Sequence, residues 1–328
     1  AVKVALADFC QCRHWQNQFD VVKSLLYSLP GIQHTELLVR LGRYREAQRL
    51  TQENRKILVD VGGEKHQDIP RCDLVLADVA AQEDIESARK RYSLALNWAL
   101  AKDSKEVLCW ATLVKARIEL AESAVHSPQS TVRSQELGGR TEALQTAQAG
   151  LSEGLKIARD CGYGLHYINL LLAQAHLHLY WGNPPAALAD LRLALDDGLP
   201  ANDRTGQPQL LAANDPECGY AWGIVEGLHL RAEALLLQAA QTLGADSFVP
   251  ARRAALPSPV QTLITQAVAC LQDAMTRWRD LRDPEVSESN FIHSDTGEAY
   301  NYRAADTYQV QQDLQGGLLT RYWQPAAD

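Results

Sequence analysis

The amino-acid sequence predicts an all-α protein made of helical hairpins, and three observations predict it. A stripe of a small, a larger and a small residue, at helical spacings of four and three, occurs five times along the 328 residues. Two segments that begin with Cys-Gly-Tyr align without a gap, 57 residues apart. Hydrophobic residues make up 46% of the chain, which is enough to bury a continuous core between stacked helices.

The clearest copy of the stripe lies in the segment GNPPAALADLRLAL at 182–195. A Gly-Asn turn precedes two prolines, which suit the first turn of a helix because the backbone N–H that they lack has no partner there. Ala187, Leu191 and Ala194 then follow on one face of a helix. We therefore expect this face to pack closely against a neighbouring helix.

The other four copies place their first small residue at positions 47, 88, 147 and 267, so that the base period is close to 40 residues. They comprise Ala47, Thr51 and Asn54; Ala88, Tyr92 and Ala95; Ala147, Leu151 and Gly154; and Ala267, Leu271 and Ala274. Thr51 and Asn54 depart from the small and apolar pattern. A repeat of this length is typical of a helical solenoid, in which each hairpin packs on its neighbours.

The two Cys-Gly-Tyr segments, at Cys161 and Cys218, are each predicted to begin the first helix of a hairpin. Gly and Pro residues between the periodic segments mark the turns. The helices predicted after residue 31 are 32–41, 43–61, 69–81, 84–102, 105–125, one from about 137, 163–181, 184–197, 218–243, 260–282 and 296–320.

We divide the chain into three regions on this basis. Residues 1–31 are predicted to form an N-terminal helical pair, 32–284 the repeat array, and 285–328 a capping helix and tail. The predicted long loops lie near 126–140, 198–217 and 244–259. Insertions in a solenoid cluster on one face, which is often the binding face, and a simple surface loop is the alternative interpretation.

The stripe at 182–194, Gly-x-x-x-x-Ala-x-x-x-Leu-x-x-Ala, resembles the second half of a tetratricopeptide repeat (TPR), and the segment GRYREA at 42–47 resembles the turn before it. The resemblance implies a right-handed α–α superhelix of TPR-like helical hairpins with long inter-helix loops. It also implies that the first helix of each hairpin lines a concave groove.

Aligning Ala116, Ala175 and Ala232 as equivalent small residues of three first helices places polar and aromatic residues in rows along that groove. The candidate ligand-binding residues are Trp110, Arg117, Asn169, His176, Glu226, His229 and Glu233. The rows lack the repeated Lys/Asn clamp with which chaperone-binding members of the family hold a C-terminal carboxylate. They indicate a protein or peptide ligand, and the alternative interpretation is that these side chains only face water.

The long period, the Ile-Ala-Arg ending of GLKIARDCGY at 154–163 and the Cys-Gly-Tyr starts also resemble the C-terminal repeat regions of bacterial STAND NTPases, including NACHT-containing and MalT-type proteins. The resemblance covers the chain from about 32 to 320. It implies a sensor whose ligand shifts an ATP-gated oligomerisation equilibrium through differential affinity for two states. Because the chain has no nucleotide-binding motif, the implied NTPase domain would lie N-terminal to it.

Composition narrows the classes of function. The net charge of −8 argues against general nucleic-acid or anionic-membrane binding, and no apolar run reaches the roughly 18 residues of a membrane span. Seven scattered cysteines indicate reduced thiols in a cytoplasmic protein. Nucleophile-elbow, zinc-protease, Cys-x-x-Cys and Walker motifs are all missing, so we expect no catalysis, cofactor or metal.

We therefore expect a non-catalytic, ligand-recognising solenoid that is the sensor region of a larger bacterial signalling or antiphage-defence NTPase. A first residue other than Met suggests an excised piece of such a protein. Two alternatives are open: a free-standing scaffold, and a regulatory repeat region attached to an effector enzyme such as a caspase-like protease. A small-molecule ligand is a further alternative to a protein.

Overall fold

The computed structural model describes residues 28–40, 43–125, 137–201, 209–218, 220–243, 256–281, 291–292 and 299–300. Within these residues the backbone forms ten α-helices, one π-helical turn and a pair of two-residue strands. The helices are α1 (Ser28–Arg40), α2 (Tyr44–Gly62), α3 (Ile69–Ala80), α4 (Ile85–Lys102), α5 (Lys105–Val125), α6 (Leu137–Cys161), α7 (Gly164–Tyr180), α8 (Pro184–Arg192), α9 (Ala221–Thr242) and α10 (Ser258–Leu281). The all-α prediction is thereby confirmed for the part of the chain that these helices cover.

Two compact units divide the described helices, with the boundary inside α6 between Gly154 and Leu155. In the first unit, α1 packs on α2, α3 on α4, and each of α2 and α4 on the helix that follows it. The first helices also touch one another, α1 with α3 and α3 with α5. In the second unit, α7 packs on α8, α9 on α10, α8 on α9 and α7 on α9. Both units therefore consist of stacked hairpins.

The five sequence stripes lie on the buried sides of their helices, although Tyr92 is only half-buried. Their leading alanines are buried completely or almost completely in α2, α4, α6, α8 and α10. In α8, Ala187, Leu191 and Ala194 all have 0% of their surface exposed. The repeat register that the spacing predicts is confirmed by this burial, because a shift of one residue would turn the stripe by about 100° around the helix.

The two polar members of the first stripe are buried with their hydrogen bonds satisfied, Asn54 by the start of α1 and Thr51 within α2. The Asn54 side chain accepts a bond of 2.8 Å from the Ser28 backbone N–H and donates one of 3.3 Å to the Ser28 carbonyl. Thr51 donates to the Ala47 carbonyl one helical turn before it, at 2.6 Å. The departure from the small and apolar pattern thus fastens α1 to α2 through its backbone.

Several helix ends differ from the predictions. The helix predicted over 32–41 begins earlier, at Ser28, and Pro30 lies in its first turn, where no backbone donor is needed. Cys161 ends α6 rather than beginning α7, and Gly162 takes a left-handed φ of 75° between the two helices. Tyr220 likewise precedes α9, which begins at Ala221.

The long loop predicted at 198–217 is firmly attached at its described ends. A π-helical turn over Leu193–Asp197 follows α8, closed by a bond of 2.9 Å from Gly198 N–H to the Leu193 carbonyl. Leu199 and Leu210 then exchange both bonds of an antiparallel bridge, at 2.8 and 2.9 Å. Ala213 N–H donates to the Ala194 carbonyl at 2.8 Å, so that the loop caps a carbonyl at the end of the helix.

Several predictions fall outside the described residues. They concern the N-terminal helical pair up to residue 27, most of the loops at 126–140 and 244–259, and most of the C-terminal region. Within the C-terminal region, Phe291–Ile292 pairs antiparallel with Ala299–Tyr300. This pair stands where the sequence predicted a helix from about 296, and the rest of that helix is not described.

Alanine substitutions at two glycines should change the stability of the protein in opposite directions. Gly198 has φ +60° and lies against the backbone of Leu210 and Ala212, so Gly198→Ala should destabilise the protein by about 2 kcal/mol or more. Gly150 lies within α6 with nothing within 4 Å of the position of a Cβ, so Gly150→Ala should stabilise it by about 0.5–1 kcal/mol. Urea unfolding followed by circular dichroism measures both changes, and equal signs would contradict the described geometry.

The stripe in α8 is tested by placing a charge on each side of the helix. Ala187→Glu should cost several kcal/mol, because Ala187 has 0% exposure and the carboxylate would be buried without a partner. Ala189→Glu, at an exposed position of the same helix, is the matched control and should change stability by less than about 0.5 kcal/mol. Thermal unfolding of the two variants would refute the register if their midpoints coincided.

Candidate functional site

The seven predicted ligand-binding residues are divided between the two units. Trp110 and Arg117 lie on α5 in the first unit. Asn169 and His176 on α7, and Glu226, His229 and Glu233 on α9, lie in the second unit.

Trp110 and Asn169 are core residues in the described structure, with 6% and 7% of their surface exposed. Asn169 accepts a bond of 2.6 Å from the hydroxyl of Tyr220, the residue that immediately precedes α9. This bond joins α7 to the start of α9 across 51 residues of sequence. Asn169 therefore positions the two first helices of the second unit on one another.

Arg117 forms an ion pair with Asp78, which is largely buried on α3. Each of these residues directly follows a completely buried alanine, Ala116 on α5 and Ala77 on α3. Equivalent positions on neighbouring first helices are thus in contact within the first unit. Asp78 was not predicted from the sequence, because the alignment of Ala116, Ala175 and Ala232 covers α5, α7 and α9 but not α3.

The remaining four candidates form what we call the α7–α9 face, defined as His176, Glu226, His229 and Glu233. His176 is exposed, and the three residues of α9 are partly exposed. The spacings of three and four place the α9 residues on one side of that helix. His176 and Glu233 occupy equivalent positions, because each follows a completely buried alanine. With two carboxylates and the exposed imidazole of His176, this face can accept and donate hydrogen bonds to a polar ligand, whereas Nε2 of His229 is buried.

The strongest polar contacts of the first unit were not predicted, and they surround α3. The Asp73 carboxylate, with 4% of its side chain exposed, contacts Arg55 of α2 at 3.2 Å and Arg91 of α4 at 2.9 Å. Arg71 bonds to Asp68 at 2.7 Å and to Glu106 of α5 at 2.6 Å. One short helix thereby holds three others through charge-assisted bonds.

A buried polar cluster of the second unit lies between α7 and α8. Gln174 donates to Asp190 at 3.2 Å, and the imidazole Nε2 of His178 lies 3.5 Å from the other carboxylate oxygen. Burial raises the pKa of Asp190 to about 6, against a smaller lowering by Gln174. Burial also lowers the pKa of His178. The spacing of three residues from Ala187 to Asp190 was the sequence signal for this burial, since it keeps Asp190 near the buried stripe.

Nothing in the described residues indicates a metal or redox centre. They contain no group of three or more His, Cys, Asp or Glu side chains arranged to hold a metal ion. The five described cysteines are free thiols, and burial is the main reason why the pKa of Cys72 rises to about 12. Among the same residues, no helix combines the length and apolar character that crossing a membrane requires.

The likeness to known families rests on sequence motifs alone. No protein-family model matches the chain, and neither the curated proteins nor the solved structures contain a match.

The Asp73 contacts predict a large stability effect. Asp73→Ala should destabilise the protein by about 3 kcal/mol, because it removes the buried carboxylate that two arginines share and leaves Arg55 with only the exposed Glu64. Glu53→Ala is the matched control. It breaks the ion pair between Arg49 and Glu53, whose side chains are 42% and 39% exposed, and should cost less than about 1 kcal/mol. Equal losses in urea unfolding would show that the Asp73 contacts are not a structural tie.

Proposed function

We propose that this chain is a non-catalytic recognition module that binds a protein or peptide ligand on the first helices of its hairpins. The observation that supports the proposal most directly is the α7–α9 face, where four polar side chains lie partly or fully exposed on two packed first helices. The second helices contribute buried small residues, so their role is to stack the hairpins. The proposal includes the right-handed, TPR-like superhelical stacking that the sequence motifs imply.

We further propose that the module is the sensor region of a larger cytoplasmic signalling or antiphage-defence NTPase of bacteria. The support is the resemblance of the 40-residue period and the Ile-Ala-Arg ending to STAND proteins. In this proposal, the ligand binds the resting and active states of the parent protein with different affinities and so shifts their populations.

The burial of each candidate residue decides whether its replacement can probe the ligand-binding surface. Trp110 and Asn169 are unsuitable probes, because replacing a buried residue alters the fold as well as any surface. His176 and Glu226 are accessible, and the described residues give neither of them an ion pair. A His176→Ala/Glu226→Ala variant therefore changes the surface with little effect on packing. Gln266→Ala/Gln272→Ala, at exposed positions of α10, is the matched control.

The test is quantitative affinity capture with the immobilised chain, using lysates of phage-infected and uninfected bacteria and mass spectrometry. We expect a phage protein that the chain and the α10 variant capture equally and that the α7–α9 variant loses at least tenfold. Titration of that purified protein should reproduce the loss in Kd, which corresponds to about 1.4 kcal/mol or more.

Other outcomes of the capture experiment lead to other functions. A host protein captured equally from both lysates would favour a scaffold over a defence sensor. Binding that both variants retain would refute the α7–α9 face as the site. Capture of nothing in either lysate would contradict a protein ligand and favour a small molecule.

A further inference from the structure

The buried cluster of α7 and α8 has an unusual balance of charge. The side chains of His178 and Asp190 are each 12% exposed, and their Nε2 and Oδ2 atoms lie 3.5 Å apart. The amide of Gln174 supplies one hydrogen bond to the other carboxylate oxygen. Within the described residues, Asp190 Oδ2 and His178 Nδ1 are buried without a hydrogen-bond partner. A carboxylate in such a place is unfavourable unless a positive charge or a proton accompanies it.

The groups around the cluster leave His178 as the basic partner of Asp190. On α7, burial raises the pKa of the Tyr167 phenol, and the charges of Arg159 on α6 and of Asp190 act on it in opposite directions. Arg192, at the end of α8, is paired with Asp197 of the π-helical turn at 2.6 Å, and Arg231 of α9 is paired with Asp196 at 2.5 Å. Among the described residues, His178 is the one basic group within 4.0 Å of the Asp190 carboxylate.

We infer that His178 and Asp190 take up a single proton between them in the folded chain, which resides on the imidazole or on the carboxyl group and is bound or released by the pair as one unit. At high pH the pair consists of a neutral imidazole and a carboxylate. Uptake of one proton from solvent gives either an imidazolium with a carboxylate or an imidazole with a carboxylic acid, and both forms carry no net charge. A second proton is resisted, because it would leave a buried imidazolium without its counter-ion.

The sharing makes the stability of this hairpin nearly independent of pH between about 4 and 6.5. In the unfolded chain the same two side chains also bind about one proton over this range, since their pKa values are about 6.5 for His and 3.9 for Asp. Because the folded and unfolded chains bind equal numbers of protons, the linkage slope of the pair is close to zero. Removing either partner should make the free energy of unfolding depend on pH, and the two dependences should have opposite signs.

The signs follow from the direction of each pKa. In Asp190→Asn, His178 remains with a folded pKa below its unfolded value, so stability is lost as pH falls below about 6.5. In His178→Gln, Asp190 remains with a folded pKa raised towards about 6, so its contribution is present below about pH 4 and is lost as pH rises through about 6.

The first experiment measures urea unfolding of the full chain from pH 4.5 to 8. Relative to the parent, the unfolding constant of Asp190→Asn should rise about tenfold from pH 7 to 4.5, and that of His178→Gln should rise about tenfold from pH 4.5 to 7. These values allow for screening at a partly exposed site. Asp60→Asn, at an exposed position of α2, is the control and should follow the parent. Slopes of the same sign, or no difference from the parent, would overturn the inference.

The second experiment needs no variant and remains decisive if a variant fails to fold. NMR titration of the parent chain follows the Asp190 carboxyl carbon and the His178 imidazole nitrogens. A shared proton should give the same midpoint at both groups, and the two partial chemical-shift changes should sum to the protonation of one group. A complete protonation shift at each group above about pH 4 would show two independently bound protons and overturn the inference.

Discussion

The close approach of neighbouring helices at small residues is the constraint on which the other features depend. An alanine that is completely buried in α2, α4 and α8 leaves room for another helix but supplies little apolar area itself. The larger residues beside it, such as Leu191, fill the space between hairpins. Because packed interiors tolerate little change in volume, this arrangement fixes the spacing of the hairpins and hence the positions of side chains on their first helices.

Polar contacts then decide which hairpins belong together. In the first unit, Asn54 holds the backbone of Ser28, and Asp73 holds arginines from two other helices. In the second unit, Asn169 holds Tyr220. Each contact is largely buried and specific in direction, so it selects one neighbour among helices whose apolar stripes are similar.

The sequence was most informative where structure is local. The spacing of Ala187, Leu191 and Ala194 and the bounds of α5 follow from periodicity and turn residues within one segment. Pairing between helices does not, because Asp73 can be matched with Arg91 only when the neighbours of α3 are known. The burial of Trp110 was missed for a related reason. Trp110 lies six residues before the buried Ala116 and therefore about 120° around the helix from it. At that angle, at the edge of the apolar stripe, the packing of the next helix decides whether a side chain is exposed.

The polar contacts of α3 also bear on how such an array can evolve. In solenoids of near-identical repeats, a unit can be duplicated or deleted because every interface is the same. Here Asp73 meets Arg55 of α2 as well as Arg91 of α4, and Asp78 meets Arg117 of α5. A second copy of α3 and α4 would carry its own Arg91, but one copy of Asp73 would lack Arg55 and one copy of Asp78 would lack Arg117. Duplicating this unit therefore costs stability that identical repeats would keep, and its hairpins are adapted to particular places in the chain.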